Sequence, residues 1–435
     1  MAPDDHPFPR EFGHGARCAA GAVARTVGPY DPHGVTTMAR QMYDAIVVGA
    51  RSAGAPTAML LARAGHRVLL VDRATFPSDT VSTHLVHPPG VAAWMRWGVA
   101  DRIVASGCPA IHTYAFDFGP FTITGAPGHD GAASYAPRRT IVDAILVDAA
   151  ADAGAEVWQG FTVDELVFDS GRVVGVRGRG RDGQTLVEHA AVVVGADGRH
   201  STVAEAVGAE TYGERPHLQA SYYAYWSGLP MAGRFESSVR DGAAFAAWPT
   251  NDDLTLVIAG RPFAEFGAYR DNIESTFIST IGIAPAFAER LRGGKRETRF
   301  VGASVANYFR RPFGPGWVLA GDAGYNVDFI TAFGMTDAYI SAEQAASAIG
   351  DVLAGSATFD EAMARYQAER DEHVRPFYEF TAGLATLAPP PPELAQALAR
   401  IAGNQPAMDR FVRVTAGVTP PAEMFGPAGA GESAA

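Results

Sequence analysis

Tyr43-Asp-Ala-Ile-Val-Val-Gly49-Ala-Arg51-Ser-Ala-Gly54 decides the reading of this chain. Asp44 to Val48 is a short apolar run, the pattern of a strand buried on both faces of a parallel sheet. Gly54 to Gly65 then turns helical, with Ala55, Ala58, Met59 and Ala62 on one face and Gly65 as the stop. Arg67 to Val71 is a second apolar strand, closed by Asp72. The result is a strand–helix–strand unit of about 30 residues. Its glycine turn leaves N–H groups free at a helix N-terminus, where the helix dipole favours negative charge. Asp72 lies 23 residues after Gly49, where dinucleotide folds place the carboxylate that holds a ribose hydroxyl. One position departs. The fingerprint G-x-G-x-x-G reads Gly49-Ala50-Arg51-Ser52-Ala53-Gly54, so Arg51 replaces the middle glycine. Its side chain must turn away from the phosphates or lie alongside them as an extra cation.

Two further stretches stand far along the chain, Val192-Val-Val-Gly-Ala-Asp197-Gly198-Arg-His-Ser and Gly316-Trp-Val-Leu-Ala-Gly321-Asp322-Ala-Gly-Tyr. Each is an apolar strand running into a small polar turn. Taken alone, Asp197-Gly198 is an ordinary turn signal. In this order the three motifs resemble the FAD-containing aromatic hydroxylases, the class A flavoprotein monooxygenases of the p-hydroxybenzoate hydroxylase kind. The likeness runs over about residues 42 to 385. Geranylgeranyl reductases and flavin halogenases are related to that family.

The resemblance implies a mixed α/β fold. A Rossmann-like FAD-binding domain of the glutathione reductase type is expected from 42–75, 131–210 and 311–385. A substrate domain built on an inserted antiparallel sheet is expected from 76–130 and 211–310, followed by a C-terminal helix and tail over 386–435. Residues 1–41, rich in Gly, Pro, His and Arg, are expected to be a disordered extension. Met38 and Met42 are alternative starts just before the first strand. Helices are expected over 139–151, 334–354 and near 393–402. Turns are expected at Ser170-Gly171 and Asp182-Gly183.

By the same resemblance Gly49, Arg51, Ser52, Ala53, Gly54, Asp72, Arg73, Arg139, Asp197 and Asp322 belong to the FAD site. The loop Thr331-Ala332-Phe333-Gly334-Met335 would turn backbone N–H groups toward the flavin ring, where a helix N-terminus stabilises the charge of the reduced form. Phe329 stands where the family usually has proline, which puts the shape of that loop in question. Arg139 also reads as half of an ordinary surface pair with Asp143, four residues on. His84 and His87 have no partners at metal-ligand spacing, so no metal is expected. They and Tyr223 are candidate catalytic groups, with packing as the competing reading. Tyr222, Tyr225, Phe245 and Trp248 read as sheet core or as the wall of an aromatic pocket.

Composition narrows the partners. A net charge of -12 argues against nucleic acid or an anionic membrane surface as the main partner. Two cysteines, Cys18 and Cys108, provide no disulfide framework, which suits a reducing cytoplasm. No apolar run approaches the roughly 20 residues that span a bilayer.

The leading expectation is an enzyme that inserts one oxygen atom from O2 into an aromatic or polycyclic small molecule through a hydroperoxide of the flavin. NAD(P)H or a separate flavin reductase would supply the electrons. A reductase or dehydrogenase like the geranylgeranyl reductases is the alternative, and Phe245-Ala-Ala-Trp248-Pro249 loosely resembles a segment of that group. A flavin halogenase is disfavoured. Trp94-Met-Arg-Trp97-Gly-Val does not match the tryptophan-rich segment of those enzymes, and the single lysine, Lys295, is far from where theirs falls. A nucleotide-binding protein that has lost the chemistry is the non-enzymatic reading.

Overall fold

The structure is a computed structural model and describes residues 42–424. The disorder expected for 1–41 lies outside the described residues.

Five parallel strands form the centre of the first sheet, in the order Trp317–Leu319, Thr185–Gly195, Tyr43–Val48, Val68–Asp72 and Glu156–Gln159. Alternate residues of the first strand serve different cores. Ala45 and Val47 pack among helices Gly54–Arg63, Arg139–Asp152 and Gly334–Leu353. Ile46 and Val48 pack on the other face with Val173, Val176 and Val203. Both faces are covered, so the strand reads as an unbroken apolar run rather than as an alternating one. The hairpin of Thr162–Asp169 and Arg172–Arg179 provides that second cover, with Ser170 at φ 50° and Gly171 at φ 81° in its turn.

Register brings the three motifs to one edge. Val48 lies beside Val71 and Gly195, and Gly195 beside Leu319. The chain therefore leaves the sheet at Gly49, Asp72, Ala196 and Ala320 side by side, at the carboxyl ends of parallel strands. Open α/β sheets bind their ligands there.

The second sheet runs Lys295–Arg296, Gln219–Ser227, Thr255–Pro262, Ala243–Pro249, Arg234–Arg240, Thr113–Asp117, Thr122–Gly125. It departs from the expected antiparallel pattern at one place, where Arg234–Arg240 pairs parallel with Thr113–Asp117. Those strands come from different insertions, so no short turn constrains their direction. Three helices, Phe266–Asp271, Ile273–Ile281 and Pro285–Gly293, interrupt the stretch expected to be sheet. They cover its outer face through Phe277, Ile281, Phe287 and Leu291.

Two C-terminal helices frame the molecule beyond what the sequence announced. Phe359–Ala385 opens with a Thr358/Glu361 capping box. Gln405–Thr415 is capped by Asn404. Phe411 and Val412 from the latter join Phe235 and Trp248 in one core.

Candidate functional site

The glycine turn has no spare volume. A Cβ on Gly49, which sits at φ +95°, would lie 2.4 Å from the Ala196 carbonyl oxygen. A Cβ on Gly54 would lie 1.7 Å from the Gly49 carbonyl oxygen. A Cβ on Gly321, at φ +60°, would lie 2.7 Å from the Ala53 Cβ. The first motif thus touches the second through Ala196 and the third through Gly321. Helices Gly54–Arg63 and Gly334–Leu353 both begin without a side-chain cap. No side chain claims their leading N–H groups, although the Ala55 N–H donates to the Arg51 carbonyl and the Asp337 N–H to the Phe333 carbonyl.

Asp72 holds the turn together. Its Oδ2 accepts from the Ala50 N–H at 2.7 Å and its Oδ1 from the Ala74 N–H at 2.7 Å. Each oxygen keeps a second lone pair. Arg73 is exposed, close to Arg199, Arg310 and His200. Asp197 caps the helix Thr202–Ala206, accepting from the Thr202 N–H at 2.7 Å, while its Oδ1 has no protein partner. Burial pushes its carboxyl up against the pull of Ser201 and these N–H groups.

Arg51 turns away from the glycine turn. It donates to Asp143 at 2.6 Å, to the Ser78 carbonyl at 3.1 Å and to the Ser78 hydroxyl at 3.0 Å, and lies over the Phe76 ring. Arg139 donates to the same carboxylate. Asp143 is fully buried and Arg139 almost so. The surface-pair reading of Arg139 and Asp143 is therefore corrected: two guanidinium groups share one buried carboxylate. Sequence spacing showed one of those contacts and missed the other, because Arg51 lies 92 residues away. Burial works against the charge of Arg139, but Asp143, and further off Asp322, hold its pKa above the ordinary value.

Asp322 is exposed, yet burial among neighbouring groups pushes its carboxyl up while Arg139 and Arg199 pull it down. An exposed side chain with dense surroundings lines a cleft. Asp337, in the first turn of helix Gly334–Leu353, is pushed up to about 8 by burial and by Asp322. Its Oδ2 and the Ser52 hydroxyl are buried without a protein partner.

The loop before that helix is fixed from behind. Ala332 takes a left-handed conformation at φ 55°. His87 Nε2 lies 2.9 Å from the Thr331 carbonyl and its Nδ1 2.8 Å from the Tyr114 hydroxyl. The carbonyl only accepts, so Nε2 carries the proton and Nδ1 accepts. His87 also stacks on Phe333. His84, at φ 42°, is held the same way between the Ala136 carbonyl at 3.0 Å and the Tyr225 hydroxyl at 2.9 Å. Burial lowers His87 to about 4 and His84 to about 3, the latter with help from Arg138. Both are neutral, with each ring nitrogen engaged, which leaves no free nitrogen for a general base. Tyr223 is buried, and burial pushes its hydroxyl up to about 12. Met335 is buried at the start of the helix, with Ser82 donating to its sulfur at 3.9 Å.

A small cavity of about 30 Å³, the space of one water, separates this loop from the second sheet. Gln219, Ser221, Ser237, Phe235 and Trp248 line one side, and Phe329, Ile330 and Ala332 the other. Phe329, at the expected proline position, is thus part of the cavity wall. Asp328 stands behind Gln219. It is 1% exposed and burial raises its carboxyl to about 7. Nothing in the sequence singled it out, because a lone Asp in a loop reads as a turn residue.

Parallel strands ending at a glycine cradle, a second sheet and a cavity between them define the architecture of a dinucleotide-dependent flavoenzyme. The chain belongs to the FAD binding domain family, which matches residues 42–381 and comprises FAD-dependent oxidoreductases. It is 33% identical over 224 residues to Protein FixC of Salmonella typhimurium, covering 49% of this chain and 51% of FixC. The chain thus spans about half the length of the FixC relatives it matches. It is 30% identical over 319 residues to digeranylgeranylglycerophospholipid reductase 2 of Methanothermobacter thermautotrophicus, covering 71% of this chain and 78% of that protein. Two solved structures share the fold. The myxobacterial chondrochloren halogenase CndH superposes with a TM-score of 0.74 at 24% identity, over 86% of this chain and 92% of its own. PqsL of P. aeruginosa, solved with 2-aminobenzoylacetate, superposes with a TM-score of 0.66 at 21% identity, over 87% of this chain and 99% of its own. Among the described residues, no helix is long and apolar enough to cross a membrane, and no group of three or more His, Cys, Asp or Glu is arranged to hold a metal ion.

Proposed function

We propose that this chain is an FAD-dependent monooxygenase acting on an aromatic or polycyclic small molecule. The overall conversion is RH + O2 + NAD(P)H + H⁺ to ROH + NAD(P)⁺ + H2O, with NAD(P)H or a separate reductase as electron donor. The observation that carries this reading is the loop 329–332 at the head of helix Gly334–Leu353, set against a second-sheet wall that includes Phe235, Phe245 and Trp248. A largely apolar wall beside the cofactor suits oxygen transfer, because water there would divert the reaction.

The residues present fit FAD. Ser52, Ala53 and Gly54 would receive the pyrophosphate on backbone N–H groups, with Gly49, whose own N–H donates to the Val71 carbonyl, opening the turn and Arg51 bracing it from outside. Asp72, with Arg73 at the rim, would hold the adenosine ribose, and Asp322 the ribityl chain. Asp197 and Arg139 would flank the cofactor. Gly334 and Met335 would offer N–H groups to the pyrimidine edge of the ring, while Ala332, whose N–H donates to the Phe329 carbonyl, would shape the loop. The buried, unpartnered oxygens of Ser52, Asp197 and Asp337 are those of a polar cleft shaped for a ligand. Bound FAD would supply two-electron redox chemistry and, once reduced, reactivity toward O2. His87 and His84 act as neutral struts that fix the loop and the cavity wall.

A second reading is a reductase of the geranylgeranyl reductase group, favoured by the 30% identity to the archaeal lipid reductase. Purified FAD-loaded protein, NADPH, a panel of phenols and an unsaturated prenyl lipid under ¹⁸O2 separate the readings. One labelled oxygen per product supports the monooxygenase. An unlabelled product carrying two added hydrogens from an unsaturated prenyl substrate replaces it with the reductase. Tight FAD with neither product points to a binding protein.

A further inference from the structure

Three polar side-chain atoms meet behind the glycine turn, and each is buried without a formed hydrogen bond: Ser52 Oγ, Tyr339 Oη and Trp94 Nε1. The fold presses their elements together. A Cβ on Gly321 would lie 2.7 Å from the Ala53 Cβ and 3.6 Å from the Ala338 Cβ. Ser52 and Tyr339 are the chain neighbours of those two alanines, one in the turn and one in helix Gly334–Leu353. Trp94, on helix Pro88–Trp97, meets the Tyr339 ring edge-on, with centroids 5.8 Å apart. Burial pushes the Tyr339 hydroxyl up, and Trp94 and Ser52 stand close enough to it to pull it back down. The order is therefore Trp94, Tyr339, Ser52. This row has two contacts and three protons, and each contact uses one proton. The indole N–H only donates, so Trp94 turns its proton to Tyr339 Oη. One proton is left over and needs an acceptor outside the row. Asp143, the nearby carboxylate, already accepts from Arg51 and Arg139. Tyr339 is enclosed on every side, at 0% exposed. Ser52 stands in the turn, so the surplus proton leaves the row through its hydroxyl.

We propose that the Ser52 hydroxyl donates to a pyrophosphate oxygen of FAD, and that Tyr339 and Trp94 are positioning residues that occupy a Ser52 lone pair and so aim its proton outward. This rests on the placement of the pyrophosphate at the glycine turn. Trp94 donates to Tyr339, Tyr339 donates to Ser52, and Ser52 donates to the ligand. Each buried polar group then has a partner. A phosphate oxygen suits the end of the row because it accepts and does not donate, and its charge strengthens the bond. Each donation polarises the next, so the two residues behind Ser52 raise its donor strength without touching the cofactor.

The test titrates FAD into the full-length apo-protein, wild type beside Ser52→Ala, Tyr339→Phe and the double variant. Ser52→Ala weakens FAD about tenfold or more, the size of one hydrogen bond to a charged acceptor. Tyr339→Phe keeps the ring, removes only the hydroxyl, and weakens FAD about threefold. Because Tyr339 acts through Ser52, the double variant binds no more weakly than Ser52→Ala alone. Trp94→Phe follows the same rule: it weakens FAD in the wild-type background and not beside Ser52→Ala. A packing role adds its loss in both backgrounds. Thermal unfolding is the second readout. Tyr339→Phe removes a buried hydroxyl that lacks a partner, so it does not lower the melting temperature of the apo-protein, yet it shrinks the rise that FAD produces. Should Trp94→Phe not fold, Tyr339→Phe carries the cycle. Unchanged FAD affinity in Ser52→Ala, additive losses in the double variant, or an apo-protein destabilised by Tyr339→Phe with its FAD affinity intact overturns the proposal. A wild type that binds no FAD overturns the placement of the pyrophosphate itself, which is distinct from a wild type and Ser52→Ala that bind FAD equally.

Discussion

The glycine edge of the cleft and the edge that faces the second sheet are built by opposite means. At the glycine edge the backbone does the shaping. Gly49, Gly54 and Gly321 are the residues that let three chain turns touch, and a carboxylate, Asp72, is used to tie main-chain N–H groups rather than side chains. At the edge facing the second sheet the side chains do it. Gln219, Ser221 and Asp328 come from a strand and a loop 109 residues apart and are ordered by one another. A backbone-built edge tolerates no added atom but is indifferent to most side chains. A side-chain-built edge tolerates substitution of shape yet is sensitive to the direction of each hydrogen bond. The comparison teaches that one cleft can be shaped by main-chain contacts on one side and by the order of side-chain hydrogen bonds on the other.

Breaking the first edge should have the largest effect. Gly54→Ala places a methyl group against the Gly49 carbonyl, where no neighbouring side chain is available to move aside. We expect a loss of roughly 3 kcal/mol or more of stability, with FAD retention lost in parallel. Thermal unfolding with and without added FAD checks both. An unaltered melting temperature would remove the claim that the backbone shapes this edge.

Asp143 joins Arg51 of the glycine turn to Arg139 of the helix Arg139–Asp152. Asp143→Ala leaves the buried Arg139 guanidinium uncompensated and leaves Arg51 held only by Ser78 and the Asp79 carbonyl. The expected cost is about 3–5 kcal/mol, as for other buried pairs that lose one partner. Because Arg51 is partly exposed, its share of that cost is the smaller one. Denaturant unfolding of Asp143→Ala beside Arg51→Ala resolves the two.

Protonation sharpens the contrast more gently. Asp328 and Asp337 have folded pKa values of about 7 and 8, above the unfolded carboxyl range. The folded state holds these protons where the unfolded state does not. Stability therefore falls as pH rises from about 4 through 7 and 8. His87 and His84 do the reverse: at about 4 and 3 they lie below the unfolded value, so stability falls as pH drops from about 6.5. Between pH 4 and 6.5 the two pairs oppose one another. Above pH 6.5 the acids act alone, and the apo-protein should lose about 1–2 kcal/mol between pH 6.5 and 8, at up to 1.4 kcal/mol per proton per pH unit. Asp337→Asn should flatten most of that slope. A slope unchanged in Asp337→Asn would show that this carboxyl ionises normally.

The smallest effect is expected far from the cleft. Arg96 and Glu343 form an exposed pair at 2.7 Å. Arg96→Ala should cost about 0.5 kcal/mol and leave FAD and substrate affinity unchanged.

What could be read in advance followed the same division. The strand–helix–strand unit, the helix at Arg139 and the helix opening at Gly334 announce themselves through local periodicity and glycines, and the structure places them within a residue or two of expectation. The convergence of Gly49, Ala196 and Gly321 was legible only as a family likeness, because nothing in the spacing of three turns says that they touch. Arg51 showed itself as an anomaly without showing its partner, since Asp143 is 92 residues away. His84 and His87 stood out as titratable groups, yet their neutrality depends on carbonyls at 136 and 331 that no pattern connects to them. Asp328 and Gln219 stayed invisible. Each is unremarkable in its own segment, and their meaning comes from a pairing of loop and sheet that only tertiary packing creates.

The central claim is that three separated motifs make one FAD site around the contact of Ala53 with Gly321. Calorimetric titration of FAD into apo-protein, wild type beside Gly321→Val, tests it most directly. The account predicts one FAD per chain for the wild type and binding weakened at least about tenfold in the variant, since the added side chain separates the first and third motifs. Equal affinity in the two proteins, or no FAD bound by the wild type, would contradict it.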